Sequence, residues 1–358
     1  MPRFSKPTLR DVASAAHVSL AAASMALNHH PNIPVATRRA VELAAERLGY
    51  EKDTKISELM AYLRTSKGQR HSETLAFISS HSRPTLPDWQ RPYLAGATAE
   101  AERLGYKLDY FWCEEPGMTK RRFSDILYGR GIRGLLIAPL LDGKSELPLS
   151  WARFTAVALG YFLVHPRIHR VLNHHYNTMM LAVEKLSERG YRRIALAMQP
   201  VNQLSVNNLW KAGYITAHEV TGLTTPPLCY IAPFDPVGFY RWFRKFKPDA
   251  IIANDARYYT ALHKQGLDAP KDFGIVSLTV KEDSDKILSR VDQNHADEGA
   301  TAIRLVVAEL LHNEVGVPAL RQTVMLESTW VEGETIRPAT ETAEIKSDRS
   351  SRTQNPSS

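Results

Sequence analysis

Residues 8–28 read TLRDVASAAHVSLAAASMALN, and this stretch decides the character of the N-terminal unit. Leu9, Val12, Ala13 and Ala16 recur at helical spacing, with no β-branched alternation that would suggest a strand. Thr8 followed by Asp11 resembles a capping box, and Ser19 can cap a second helix. Small Ala13 lets the two helices approach closely. Val18, Ala23 and Leu27 then face inward, which turns Leu20, Ala21, Ser24, Met25 and Asn28 outward. A third helix begins at Pro34, gathers Val41, Ala44, Ala45 and Leu48 on one face, and stops at Gly49. This is helix-turn-helix spacing, in which the outward set of the second helix enters a major groove.

Charge agrees with that placement. The chain of 358 residues carries a formal net charge of +7, and residues 1–70 hold 11 Lys+Arg against 6 Asp+Glu. A basic head on a nearly neutral body suits a polyanion-binding unit joined to a sensing unit. Cys113 and Cys229 lie far apart, which excludes a disulfide framework and a cysteine cluster for zinc, and fits a reducing cytoplasm. The N-terminus lacks an apolar secretion segment, and the longest aliphatic run, 135–141, is broken by Pro139 and too short to span a bilayer. A cytoplasmic protein with no membrane partner is expected.

Outside the head, strand-length apolar runs alternate with helical patterns. The runs are LAFIS (75–79), KLDYFW (107–112), GLLIAP (134–139), FTAVAL (154–159), RIALAM (193–198), LCYIA (228–232), DAIIAN (249–254) and FGIVSL (273–278). Continuous apolar strands separated by helices imply parallel sheets covered on both faces. So many strands fit two doubly wound subdomains better than one wide sheet, with ligands in the cleft between them. The expected fold is therefore multidomain: a small all-α helix-turn-helix head plus an α/β body of two parallel-sheet subdomains.

The head, from Thr8 to Asn28 and from Thr37 to Leu48-Gly49-Tyr50, resembles the DNA-binding unit of the LacI (lactose repressor/galactose repressor) family. The body adds Lys185-Leu186 through Gly190-Tyr191-Arg192-Arg193-Ile194-Ala195 and Pro248-Asp249-Ala250-Ile251-Ile252-Ala253-Asn254-Asp255, similar to a turn and a strand of that family. The resemblance covers roughly residues 7–335. It implies a head over 1–52, a hinge helix and linker over 53–73, and a periplasmic-binding-protein-like body over 74–337. The body divides into an N-subdomain (74–192 and 295–323) and a C-subdomain (193–294 and 324–337). The polar segment 338–358 reads as a disordered tail.

Implied DNA contacts are Thr8, Ser19, Leu20, Ala21, Ala22, Ser24, Met25 and Asn28. Ser19, Ser24, Asn28 and Thr8 suit phosphates, although Ser19 and Asn28 can equally cap helix ends. His17 stands where the family usually has Gly, and His tolerates a left-handed backbone better than most residues. Met25 replaces a common groove-facing Arg, so thymine-methyl contacts and DNA shape would carry the readout. Leu59 occupies the position of the family's minor-groove wedge. Met60 or Leu63 could serve instead, or Ile56, Leu59 and Leu63 could form a helix-pairing face.

For the body, the resemblance implies a small sugar-like effector held by His81, Trp89, Tyr93, Asn177, Trp210, Phe234, Asn254, Asp255 and Gln293. Two charged anchors common in the family are replaced, one by Trp210 and one within Ser277-Leu278-Thr279. A neutral saccharide fits that loss better than a phosphorylated or acidic one.

Gly129-Arg130-Gly131-Ile132-Arg133-Gly134 matches G-x-G-x-x-G but precedes its strand, so no dinucleotide site is expected. His29-His30 and His174-His175 are adjacent pairs without carboxylates at ligand spacing, and no metal or other cofactor is expected. No nucleophile–base set stands out, which argues against an enzyme. The expected function is a homodimeric regulator, a repressor by default, bound to a palindromic double-stranded operator and controlled from the cleft. The competing readings are a sugar-binding module or a carbohydrate-active protein without DNA regulation.

Overall fold

The computed structural model describes residues 9–27, 33–48, 73–140, 147, 149–226, 228–278 and 288–339. The head contains α1 (Leu9–Ala15), α2 (Leu20–Leu27) and α3 (Val35–Leu48) around a core of Val12, Ala13, Ala23, Ala26, Ile33, Val41, Ala44 and Ala45. Small residues dominate this core because three short helices must meet within one side-chain layer. His17 adopts φ 53°, and Val18 N–H donates back to the Ala13 carbonyl at 2.9 Å, which closes the turn. The left-handed turn is thus made without glycine. Ser19 Oγ accepts from Ala22 N–H at 3.1 Å, the expected cap.

The body is two lobes, each built on a six-stranded sheet. The first lobe has β1 (Thr74–Ser79), β2 (Lys107–Trp112), β3 (Gly134–Ile137), β4 (Thr155–Leu159), β5 (His169–Asn173) and β11 (Thr323–Leu326), in the order β11-β5-β4-β3-β1-β2. All its pairings are parallel. Along β1, Leu75 and Phe77 enter the layer formed with α4 (Arg91–Arg103) and α11 (His295–Leu311). Ala76 and Ile78 enter the opposite layer, against α5 (Lys120–Gly129). Every β1 residue after Thr74 is buried, as a strand covered on both faces requires.

The second lobe has β6 (Ile194–Met198), β7 (Cys229–Tyr230), β8 (Ala250–Ala253), β9 (Gly274–Ser277), β10 (Ser289–Asp292) and β12 (Thr329–Val331), ordered β12-β10-β9-β8-β6-β7. Among the described residues of this lobe, only the pairing of β10 with β12 is antiparallel. One face of this sheet packs on α6 (His175–Glu188) and α8 (Leu209–Thr221), the other on α9 (Pro236–Phe246) and α10 (Arg257–His263). A short helix, α7 (Pro200–Ser205), follows β6.

All eight expected apolar runs form strands, and four further strands complete the sheets. β5 escapes a search for apolar runs because His169, Arg170 and Asn173 are polar yet buried. The lobe boundaries also shift. Helix α6, expected in the N-subdomain, packs on α8 in the second lobe, and β11 joins the first sheet, not the second. The chain therefore crosses between lobes after β5, after β10 and after β11. The tail from 340 onward, residues 49–72 with all of the expected hinge and linker (53–73) but its last residue, and Thr8, Asn28 and Leu59 lie outside the described residues.

One side chain joins the three crossings. The buried Asn173 amide Nδ2 donates to the Gln293 carbonyl at 3.3 Å, to the Leu326 carbonyl at 3.2 Å and to Ser328 Oγ at 2.8 Å. Its Oδ1 accepts from Thr178 Oγ1. Asn294 Nδ2 adds bonds to the Glu327 carbonyl at 2.9 Å and to Thr329 Oγ1 at 3.0 Å. Removing the Asn173 amide, which sits on the first crossing, strands acceptors on the other two. Asn173→Ala is expected to destabilise the protein by about 2–4 kcal/mol, measured by urea unfolding. A loss under ~0.5 kcal/mol would show that the crossings do not depend on it.

Candidate ligand cavity and nucleic-acid interface

A cavity of about 500 Å³ lies between the lobes, lined from the first lobe by Asp88, Trp89, Tyr93, Phe162, His295 and Glu298. The second lobe contributes Gln199, Asn202, Ser205, Trp210, Asn254, Asp255 and Arg257, while His175 and Gln293 line it from the crossings. Most of these residues follow the C-terminal ends of β4, β5, β6, β8 and β10. That is where open parallel sheets place their ligands, because loops diverge there and leave a crevice.

Close backbone contacts fix both walls. A Cβ on Gly96 of α4 would come within 1.9 Å of the Ala296 carbonyl oxygen, and one on Gly299 of α11 within 2.1 Å of the Tyr93 carbonyl oxygen. The two helices touch main chain to main chain, which brings Tyr93 against His295 with ring centroids 4.4 Å apart. Trp89 stacks on Phe162 at 6.1 Å. Opposite them, a Cβ on Gly213 would lie 2.4 Å from the Tyr176 carbonyl oxygen, and Trp210 meets the His175 ring edge-on at 5.5 Å.

The polar groups fall into two kinds. Arg257 Nε donates to the Asp255 carboxylate at 2.8 Å, and Asp255 also caps the Arg257 main-chain N–H at 2.8 Å. At the rim Arg91 pairs with Asp88 at 3.2 Å. In contrast, Trp210 Nε1, His175 Nδ1 and both carboxyl oxygens of Glu298 are buried without a hydrogen-bond partner among the described residues. Buried polar atoms in that state await a ligand or water.

Protonation follows from burial. Desolvation, with smaller contributions from His295 and His174, lowers His175 to about 3, and desolvation lowers His295 to about 4. Burial pushes the Glu298 carboxyl well above the usual carboxylate range, and the neighbouring Tyr93 hydroxyl and Asn173 main chain only partly oppose it. Near neutral pH the cavity thus holds neutral imidazoles, an acid whose charged form burial disfavours and an internally paired Arg–Asp set.

Six of the nine residues expected at the effector site line this cavity: Trp89, Tyr93, Trp210, Asn254, Asp255 and Gln293. His81, Asn177 and Phe234 are not among its lining. The His81 ring lies 3.3 Å from Ser80 Oγ, and its carbonyl accepts from the Tyr110 hydroxyl at 2.7 Å. Asn177 Nδ2 reaches the Glu327 carboxylate at 3.2 Å, on a crossing. Phe234 packs edge-on to Tyr258 at 4.8 Å and lies under the Arg257 guanidinium at 5.2 Å, so it supports a lining residue from behind. His175, His295, Glu298 and Arg257 join the cavity without having been expected. His295 and Glu298 share one helix face three residues apart and enclose no motif, and Arg257 lies two residues past Asp255.

In the head, Ser19 is exposed, whereas Ala22 and Met25 are partly buried against the helical core. Gly129 ends α5 and Gly134 opens β3, so the G-x-G-x-x-G stretch precedes its strand. None of the described helices is long and apolar enough to cross a membrane.

Residues 8–53 match the model of bacterial regulatory proteins of the lacI family, and residues 183–336 match that of a periplasmic binding protein-like domain. A helix-turn-helix-type transcriptional regulator of Streptomyces limosus is 28% identical over 54% of this chain and 53% of its own length. The helix-turn-helix-type transcriptional regulator MalR of Streptomyces coelicolor is 24% identical over 84% of this chain and 90% of its own. Among solved structures, the transcriptional regulator CelR–cellobiose complex has a TM-score of 0.58 at 22% identity, covering 92% of this chain and 99% of that one. The lac repressor dimer bound to operator and the anti-inducer ONPF gives 0.57 at 21%, covering 93% and 100%.

The titration behaviour of the cavity has a measurable consequence. His175 and His295 titrate below the ordinary imidazole value of 6.5 when folded, so below about 6.5 the unfolded chain binds protons that the native state refuses. Their contribution is complete above that pH and is lost as pH falls towards about 4 for His295 and about 3 for His175. Glu298 acts in the opposite sense, its contribution being present at low pH and lost as pH rises through its folded value. The urea midpoint should drop between pH 7 and pH 5, and drop less in a His175→Asn, His295→Asn double variant. An equal drop in both proteins would show that these histidines protonate freely in the native state.

Proposed function

Because the chain belongs to the LacI family of bacterial regulatory proteins, we propose that it is a repressor that binds a palindromic operator as a homodimer in the cytoplasm and senses a neutral saccharide. The chain is a transcriptional regulator with a DNA-binding unit and a sugar-binding-like body. The observation that carries the effector reading is the cavity, in which every formal charge is paired or suppressed while aromatic faces and unpartnered polar atoms remain. Aromatic rings cover apolar sugar faces, and buried polar groups satisfy hydroxyls. A phosphorylated or acidic ligand would bring a charge that Arg257, held by Asp255, is poorly placed to receive.

Two relatives in fold make the elements of this reading concrete, one being a cellobiose complex and the other a dimer on its operator. For this chain, α2 reads the major groove through Leu20, Ala21, Ala22 and Met25, while Ser19, Ser24, Asn28 and Thr8 hold phosphates. Leu59 wedges the minor groove. Saccharide binding would change the relation of the lobes and so whether two heads engage one site, and operator must weaken saccharide binding by the same factor by which saccharide weakens operator binding.

Selection of duplexes from a random pool with the full-length protein, followed by titration of the winner, tests this. A palindromic winner whose affinity falls steeply with salt, and which cellobiose, maltose or glucose displaces, is the expected result. No selective binding at low salt overturns the regulator reading. Leu59→Ala should reduce operator bending in a circular-permutation gel assay while leaving saccharide affinity unchanged, and unaltered bending would assign the wedge elsewhere.

A further inference from the structure

Glu298 is fully buried, lies in the first turn of α11, and lines the inter-lobe cavity with both carboxyl oxygens unpartnered among the described residues. The Tyr93 hydroxyl and the Asn173 main chain lie beside that carboxyl without satisfying it, and the seating of α11 rests on other residues. The helix seats itself through Gly299 against the Tyr93 carbonyl, through Gly96 against Ala296, and through Ala302, Ile303, Val306 and Val307 in the apolar layer. Burying an unsatisfied acid costs free energy that a leucine at the same position would not. The cost is offset when a bound molecule supplies the missing partners.

Every charged or titratable group around it has its own arrangement. On its own helix His295 is neutral and stacked on Tyr93, and Tyr93 on α4 keeps its proton under burial and the pressure of Glu298. His175, at the start of α6, is neutral. Across the cavity Arg257 is bonded to Asp255, and Asp88 at the rim to Arg91. No cation of the described lining is therefore available to hold an ionised Glu298.

We propose that Glu298 is a specificity-determining residue of the cleft, its carboxyl donating one hydrogen bond to and accepting another from a hydroxyl-bearing, uncharged ligand. This rests on the saccharide reading above and adds to it a direction of pH dependence. Raising the pH removes the donor and leaves an anion facing a neutral ligand, so affinity falls on the alkaline side, by up to tenfold per pH unit. The same carboxyl rejects sugar acids, because two acidic groups would share one dry site.

The test uses full-length protein and calorimetric titration with cellobiose, maltose, glucose, glucosamine and glucuronate across pH 6–9, together with infrared difference spectra of wild type against Glu298→Gln without ligand. The expected results are a protonated-acid carbonyl band present only in wild type, and binding of at least one neutral saccharide that weakens at alkaline pH. Glu298→Gln, which keeps a donor and an acceptor, should bind that saccharide within a few-fold and without the alkaline loss. Glu298→Leu, which fits the apolar surroundings and so guards against misfolding, should bind it about 10- to 100-fold more weakly. Absence of the band, or equal pH profiles of wild type and Glu298→Gln, overturns the assignment while the saccharide reading stands. Glucosamine binding that Glu298→Gln abolishes overturns it in favour of an ion pair. Binding of none of the neutral saccharides overturns both.

Discussion

The carboxamide of Asn173 is the point on which the two-lobe body depends. A chain that passes between lobes three times must bring three strand ends to one place, and each arrives with main-chain groups that no sheet can satisfy. Asn173 meets the Gln293 carbonyl on one crossing and the Leu326 carbonyl and Ser328 hydroxyl on another, while sitting itself on the first. An apolar residue could fill that volume but would strand these groups. The lobes are thus coupled by a polar connection, which can be rearranged more readily than a packed apolar interface.

The cavity walls follow from a different constraint. Where Gly96 and Gly299 let α4 and α11 meet at the backbone, Tyr93, His295 and Glu298 are carried into one patch, and Gly213 does the same for Trp210 beside His175. Larger residues would move the helices apart and with them the side chains that line the cleft. Site geometry is therefore set by residues that contribute no chemistry themselves.

Much of this was legible in the sequence. The head could be read because helical spacing, a serine cap and a turn residue coincide within residues 8–28, and the turn at His17 takes the left-handed conformation that this position demands. The eight apolar runs announced the parallel sheets. What could not be read shares one cause, since β5 buries His169, Arg170 and Asn173, and α11 buries Glu298, at places where only tertiary contacts make a polar side chain tolerable. The same blindness moved α6 into the wrong lobe, because its apolar face suits either sheet. His81, Asn177 and Phe234 were aromatic or amide residues close to strand ends, and local partners hold them away from the cleft or behind it.

The order of strands also governs how the protein can be made. The first sheet pairs β5 with β11, and the second pairs β10 with β12, so both edges are closed by residues 323–331. During vectorial synthesis β1 to β5 emerge and can associate early, yet the flank of β5 stays open until more than a hundred further residues have left the ribosome. Such an open flank can pair with a neighbouring nascent chain. The buried polar side chains of β5, His169, Arg170 and Asn173, then have a second use, for a strand rich in such groups is a poor template for apolar aggregation while it waits for its partner.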